Sequence, residues 1–553
     1  MYLNNVIKEV SKFTDLGVTF VGQGEKIFLS YKDIYDYSMK LGSWMNDKGI
    51  IKGDFILTQI DNNVQFIILF WSCLIYGYIL VPYENISIQN EREVENLIKT
   101  YRGFQNIRIF TDGDKIKEFL NNVKMETIEI IKIPTIIELK SYDETNNKHK
   151  SISHEGKEIA LVMHTSGSTQ SPKGVMISRE NIHKNMNQIL NKLYISQKDI
   201  FVNWMSLTHV AGLMLAHILP IFTKSNQVLT TPKYFIGSTC EYLRLLSDIN
   251  ASVTILPNFA LEFLLNFSEE QSISDISLSK LRYLINGSEL INYNNNLEFY
   301  RKYSKYGYRE EAMTVVYGMT ETTSAVSIHS YDCLDRYYRC DREVYLNEHT
   351  ISPYSPSNIK KDNFFNIAFV GEPLIENEIK ILNCGHEVKE GMIGNVYIKG
   401  PSVAKSYISE GKILPLVNDD GFFNTGDMGT IIKNKLIITG REKDIIFFNG
   451  LKIYAGEIES ICKNITLLEK CEFVACGIIN LETLKDELVI FVQKSEIDMK
   501  EEEIKKLIKR EVGKAINQSV SYIIFVDKID KNKIGKKQRN IMKKRFEKGE
   551  FSL

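Results

Sequence analysis

Leu161-Val162-Met163-His164-Thr165-Ser166-Gly167-Ser168-Thr169-Gln170-Ser171-Pro172-Lys173-Gly174 is the stretch on which the reading of this chain turns. An apolar run enters a loop of Gly, Ser and Thr and leaves it through Pro-Lys-Gly. Small residues let backbone N–H groups approach phosphate oxygens, the hydroxyls add donors, and Lys173 adds a cation. The spacing is not that of the GxxxxGK[ST] loop, and no Gly-Lys-Thr opens a helix after it. Taken alone the segment reads equally as a polar turn, because Ser, Thr and Gly are enriched in turns. The rest of the chain has to decide.

Working outward, residues 32–48 carry Ile34, Tyr37, Leu41 and Met45 at helical spacing, with Gly49 as the C-cap candidate, and residues 54–60 read as a strand. Residues 64–81 are apolar enough to suggest a membrane span, but Gln65 and Ser72 interrupt them and Gly77 splits them. A buried helix running into a buried strand is the expectation. Helix and strand patterns alternate to about residue 330, as in α/β layers. Residues 330–365, rich in Tyr, Asn and Ser, are expected as a long surface excursion. Short strands at 366–370, 378–382, 394–398 and 435–438 then suggest a small barrel or sheet layer. After Gly440-Arg441 a compact α+β unit is expected. Its strands lie near 472–479, 488–493 and 520–526, and a helix near 499–512 bears Ile504, Leu507, Ile508 and Val512 on one face. The expected fold class is α/β. Residues 1–441 form a large part of two α/β layers plus a small β-barrel, and residues 442–553 form a smaller, mobile α+β lid.

A chain of 553 residues exceeds what one hydrophobic core supports. With 44% hydrophobic and 25% charged residues it has the composition of a soluble globular protein. A net charge of −1 gives no global bias toward nucleic acid or an anionic membrane, so any anion site is local. The eight cysteines are scattered, and the closest pairs, Cys333/Cys340 and Cys471/Cys476, lack zinc or redox spacing. Free thiols in a reducing cytosol are expected. The first residues lack the basic-then-apolar pattern of a signal peptide, and a cytoplasmic location is expected.

The opening segment resembles the phosphate loop of the adenylate-forming superfamily, which comprises acyl- and aryl-CoA synthetases, nonribosomal peptide synthetase adenylation domains and luciferases. The family pattern T-S-G-S-T-G-x-P-K-G is matched except at Gln170, where glycine is usual. Further signposts follow in family order. Trp204-Met205-Ser206-Leu207-Thr208-His209-Val210-Ala211-Gly212 resembles the aromatic/His segment beside the acyl pocket. Asn286-Gly287-Ser288-Glu289 resembles the turn against adenine, and Tyr317-Gly318-Met319-Thr320-Glu321-Thr322 resembles Y-G-x-T-E. Thr425-Gly426-Asp427 is similar to the ribose-binding T-G-D, and Gly440-Arg441-Glu442-Lys443-Asp444 to the hinge motif. Ile534-Gly535-Lys536-Lys537-Gln538-Arg539 resembles G-K-x-x-R. Each in isolation reads as a turn or a solvated charge run. Their joint order over residues 161–539 reverses that.

The resemblance implies roles. Thr165, Ser166, Gly167, Ser168, Thr169 and Lys173 would hold phosphates. Gly287, Ser288, Glu289, Tyr317, Gly318, Met319, Asp427 and Arg441 would hold the rest of the nucleotide. Lys536, Thr320, Glu321 and His209 would be catalytic, with Glu321 also a ligand for Mg²⁺, which favours hard oxygen donors. Thr208, His209, Gly212, Pro257, Asn258 and Phe259 would line the acid pocket, and Lys443 would be the hinge. The implied activity is ATP-dependent conversion of a carboxylic acid to an acyl-adenylate with release of pyrophosphate, then transfer to a thiol. Adenylation domains for α-amino acids place an aspartate near the start of the aromatic segment. No Asp stands between Phe201 and Leu213 here, and a buried ammonium without a carboxylate partner is costly. An aryl or acyl acid without an α-amino group is therefore expected. Residues 207–212, 449–454 and 534–536 resemble adenylating units of polyketide and nonribosomal peptide assembly lines. No carrier domain is seen, so the expected acceptor is the phosphopantetheine thiol of a carrier protein in trans, with free coenzyme A as the alternative. No nucleic-acid or membrane partner is expected. The rival readings are a non-catalytic nucleotide-binding relative and a luciferase-type oxygenase.

Overall fold

A computed structural model describes residues 3–22, 26–87, 89–113, 128–142, 155–164, 173–267, 273–330, 336–353, 364–448, 451–479, 486–493, 499–516, 518–532 and 535–551. The first expected helix runs Tyr31–Asp47. Ser30 caps it in a reciprocal box: its hydroxyl accepts the Asp33 N–H, and the Asp33 carboxylate accepts the Ser30 N–H, each at 3.0 Å. That satisfies donors a helix start leaves free. Residues 64–81 form helix Asn63–Tyr76, a left-handed Gly77 at φ +81°, and strand Ile79–Val81. Phe66 through Tyr76 are all buried, so this helix is apolar all round because protein surrounds it. Among the described residues no helix is long and apolar enough to cross a membrane.

A nine-stranded sheet has a parallel centre in the spatial order Met313–Gly318, Tyr283–Gly287, Val253–Ile255, Ile200–Asn203, Asn226–Leu229, Gly17–Val21. An eight-stranded sheet sets Ile159–His164 parallel to Ile79–Val81 and antiparallel to Gly174–Ser178. Such strands are covered on both faces, which is why they read as unbroken apolar runs. In the first sheet, four neighbouring parallel strands end on the same side. The segments that follow them, beginning at Trp204, Leu256, Ser288 and Met319, thus meet along one edge, where open α/β sheets place ligands.

Of the strands expected as a small barrel, those at 378–382, 394–398 and 435–438 lie in a five-stranded antiparallel sheet that runs from His386–Glu387 through Glu378–Asn383, Gly394–Lys399 and Phe423–Ile432 to Lys435–Arg441, whereas the one at 366–370 overlaps Phe364–Ala368, which pairs elsewhere. In the C-terminal part, Glu472–Ile479, Asp486–Gln493 and Tyr522–Val526 make a three-stranded sheet. Helix Glu501–Ile516 turns Ile504, Ile508, Val512 and Ile516 inward at four-residue spacing, while Leu507 is only half-buried.

The described residues of the 330–365 stretch differ from the expected irregular excursion. Strand Tyr337–Asp341 pairs with Phe364–Ala368, and helix Arg342–Glu348 follows it, opened by Asp341, whose carboxylate accepts from Glu343 and Val344. The cause is burial. Cys340, Tyr345, Leu346, Ile351 and Phe369 join one apolar core with Ile446, Ile453 and Phe473, across the position expected to divide two domains.

Candidate active site

The Y-G-x-T-E segment ends strand Met313–Gly318 and enters a short 3-10 turn, Thr320–Thr322. Met319 N–H bonds to Ser324 O at 3.1 Å, closing the turn so tightly that a Cβ on Gly318 would stand 1.8 Å from that carbonyl. Gly287 likewise lets its strand end approach Val316 O, and Ser288 then takes φ +68°. These contacts explain the glycines without appeal to a ligand, and they leave the backbone open toward the site.

Asp427 lies on strand Phe423–Ile432 directly opposite Arg441. Arg441 Nε reaches its Oδ1 at 2.9 Å and Tyr317 OH donates to Oδ2 at 2.7 Å. Burial pushes this carboxyl upward in pKa, while Arg441, Tyr317 and Lys536 pull the other way. Gly426 at φ +69° and the Asp427 N–H bond to Thr425 Oγ1, 3.0 Å, fix the turn that presents it. Tyr317 and Asp427 are 110 residues apart, a pairing no local pattern reveals.

Glu321 lines a cavity of about 320 Å³ with Lys173, Tyr407, Asn424 and Thr425. Burial raises its carboxyl pKa, against Arg441 and Lys173. Lys173 Nζ sits 4.9 Å from the centre of the Tyr407 ring, a residue the sequence reading did not single out. Tyr407 is one residue of a strand paired with the strand after Lys173, and only that long-range pairing discloses it. Thr165, Ser166, Gly167, Ser168 and Thr169 lie outside the described residues.

Of the acid-pocket candidates, Gly212 lies in a π-helix, Ala211–Ile218, whose Leu219 N–H reaches back to Met214 O, and Thr208 and His209 stand just before it. Such wide helices are rare and cluster at functional sites. Gly212 is required there, since a Cβ would lie 2.2 Å from Ser206 O. Thr208 Oγ1 is bonded to Ser206 Oγ at 2.8 Å. His209 Nδ1 accepts the Ala211 N–H at 3.2 Å, and burial, then Lys536, lowers the ring's pKa to about 4. A neutral ring with Nδ1 accepting carries its proton on Nε2. In that form Nε2–H is free to donate a hydrogen bond toward the site. Deeper in the π-helix, buried His217 takes a bond from Trp71 Nε1 at 3.0 Å and holds Gln227 Oε1 at 2.9 Å.

Pro257 caps helix Asn258–Leu265. The amide of Asn258 is spent on the scaffold rather than offered to a pocket: it donates to Leu290 O and accepts from Asn286 Nδ2 at 3.0 Å. Phe259 meets Trp204 edge-on at 5.7 Å, and Trp204 stacks on Phe235 at 4.1 Å, so an aromatic wall stands here.

Lys536 arrives from the far end of the chain. Its loop is closed by Asn532, whose Oδ1 accepts the Lys536 N–H at 2.8 Å and whose own N–H donates to Lys536 O at 2.9 Å. Gly535, at φ +80°, sits against the Phe259 ring. Burial and the nearby Arg441 lower the ammonium's pKa, while Glu289 and Asp427 oppose this. Lys443 occupies the 3-10 turn Glu442–Asp444, its pKa lowered by burial and Arg441. Residues from five segments, His209, Glu289, Asp427, Arg441 and Lys536, therefore share one electrostatic neighbourhood.

Burial pushes the Glu289 carboxyl up to about 7, with Glu262 adding repulsion and Lys536 and Lys537 opposing it. Below about pH 4.5 folded and unfolded chains both keep this proton; above that the unfolded chain loses it first, so the contribution to stability declines until about pH 7. Urea midpoints of the wild type are expected to fall relative to Glu289→Gln across that window and to run parallel above it. Parallel profiles throughout would show that the carboxyl is not held up.

A family profile described as AMP-binding enzyme matches residues 11–408. The chain belongs to that family. Within the AMP-binding enzymes, 4-hydroxyphenylalkanoate adenylyltransferase of Mycobacterium tuberculosis is 24% identical over 428 residues, 72% of this chain and 67% of that one. A Mycobacterium tuberculosis protein provisionally described as a ligase is 28% identical over 306 residues, 55% of each chain. The chain spans between 55% and 60% of the length of the first curated relatives it matches. Among solved structures, McyG A-PCP complexed with phenylalanyl-adenylate superposes with a TM-score of 0.84 at 25% identity, covering 100% of this chain and 96% of that one. That superposition therefore also takes in residues beyond the 11–408 that the profile matches.

Proposed function

We propose that the chain activates a carboxylic acid with ATP, forming an acyl-adenylate and pyrophosphate, and then passes the acyl group to a phosphopantetheine thiol. The observation that carries this is the convergence of Lys536 on the neighbourhood of Asp427, Arg441, Glu289 and His209. In the first step a carboxylate oxygen bonds to the α-phosphorus as the bond to the pyrophosphate oxygen breaks. Lys536 and the His209 Nε2–H would face the negative charge that develops there. Asp427 would exchange its Tyr317 and Arg441 partners for the ribose diol, and Lys173 would face the leaving phosphates. Glu321 suits Mg²⁺: it is a hard oxygen donor, buried in a cavity with Lys173, and a cation would relieve the cost of its charge. That ion would neutralise phosphate charge. A turn at Lys443 would then withdraw Lys536 and admit the thiol.

The acid lacks an α-amino group in this reading. The hydroxyl of Thr208 is bonded to Ser206, and no carboxylate occurs in residues 201–213 to pair an ammonium. The aromatic wall of Trp204, Phe235 and Phe259 suits an aryl or acyl body. ATP–pyrophosphate exchange across fatty, aryl and amino acids tests the first step. Exchange only with amino acids, or with none, would overturn the reading. For the acceptor, the enzyme loaded with its best acid is offered a phosphopantetheinylated carrier protein and coenzyme A at equal concentration. A higher specificity constant for the carrier is expected, because a protein acceptor adds contacts remote from the thiol. Equal or faster transfer to coenzyme A would make the chain an acyl- or aryl-CoA ligase.

A further inference from the structure

The last residue of the G-K-x-x-R segment has no part in the chemistry above, yet its side chain bonds to two carboxylates on two other segments. Arg539 opens helix Arg539–Glu547, three residues after Lys536. Its Nε and Nη2 grip both carboxylate oxygens of Glu459 at 2.7 and 2.8 Å, the paired fork that a guanidinium alone can offer. Glu459, 7% exposed on helix Ala455–Lys463, also accepts the Ala475 N–H at 3.1 Å and Lys537 Nζ at 3.3 Å. Nη1 of Arg539 reaches Asp444 Oδ2 at 3.3 Å. Asp444 is the last residue of the turn that contains Lys443. One guanidinium thereby joins three pieces: the helix bearing Glu459, the turn that follows Arg441, and the base of the loop bearing Lys536.

The loop needs such a base. Asn532 closes it from within, and Gln538 N–H returns to Asp530 O at 2.8 Å. Nothing in those bonds sets its angle relative to the hinge turn. A catalytic ammonium misplaced by about 1 Å can lose two orders of magnitude in rate. We propose that Arg539 is a positioning residue that ties the loop of Lys536 to Asp444, so that the hinge turn and the lysine move as one rigid piece. A rotation at Lys443 is then transmitted to the ammonium without slack. This rests on the reading of Lys536 as the adenylation lysine.

The test uses the full chain and the acid of a fatty and aryl panel that gives the fastest exchange. Adenylation is followed by ATP–pyrophosphate exchange, and the second half-reaction by transfer from the supplied acyl-adenylate to the accepted thiol. Arg539→Ala is expected to lower kcat of adenylation about 100-fold with the KM for ATP little changed, and to spare transfer. Arg539→Lys, which keeps the charge but not the fork, recovers part of the loss. In the Lys536→Ala background, Arg539→Ala costs nothing further, because it acts through that lysine. Asp444→Ala guards against a folding defect at Glu459: it removes the acceptor of Nη1, severs only the hinge arm and lowers adenylation about 5-fold with an unchanged urea midpoint. Equal loss in both half-reactions, an additive double variant, or an Asp444→Ala enzyme of full activity would overturn the proposal. Full exchange by Lys536→Ala would instead overturn the functional reading beneath it.

Discussion

Lys536→Ala is expected to lower the adenylation rate about 10³-fold while transfer from a supplied acyl-adenylate stays within a small factor of wild type. The magnitude is that of removing a donor aimed at charge that develops in the transition state. The ammonium lies in a buried neighbourhood, where such a donor acts through a lower dielectric than water. Lys537 is the internal control. Its ammonium pairs with Glu459, and Lys537→Ala and Lys533→Ala are expected to cost far less. Exchange kinetics for the three variants decide the matter. Comparable losses would mean a diffuse basic patch, and loss in both half-reactions of Lys536→Ala would mean a folding role.

Asp427→Ala is expected to raise the KM for ATP about 10- to 100-fold. A charge-assisted bond is worth about 1.5–3 kcal/mol, and each 1.4 kcal/mol is a factor of ten. The variant loses the ribose acceptor and also leaves Arg441 Nε and Tyr317 OH without the carboxylate they share. Asp427→Asn separates these effects: it keeps the shape and Tyr317's acceptor but not the charge, and an intermediate KM is expected. Steady-state kinetics with varied ATP provide the measurement, and an unchanged KM in Asp427→Ala would return Thr425-Gly426-Asp427 to an ordinary turn.

What could be read beforehand was local. The apolar run of residues 64–81 disclosed helix Asn63–Tyr76 and its strand because each buried side chain advertises itself in place. The four-residue stripe of helix Glu501–Ile516 did the same. The stretch 330–365 misled because its described buried apolar groups, Cys340, Tyr345, Leu346 and Ile351, are spread among polar residues and find their core only against Ile453 and Phe473. The site was legible as an ordered set of motifs but not as a set of contacts. Asn258 looked like pocket lining and is committed to Asn286; Tyr407 carried no motif weight and lies under Lys173. Arg539 and Glu459 are 80 residues apart, and no periodicity joins them.

The π-helix Ala211–Ile218 makes chain length itself a determinant of the pocket. A wide helix holds one residue more than its α-helical counterpart. Its C-terminal half is moored by His217 to Trp71 and Gln227. Deleting a single residue between 213 and 216 would let the segment relax to an ordinary helix, and the slack would be taken up at the unmoored end. Each residue of an α-helix turns about 100°, so Gly212 would swing away from Ser206 and His209 with it. In the reading proposed above, a codon deletion there would reshape the acid pocket with every candidate side chain kept.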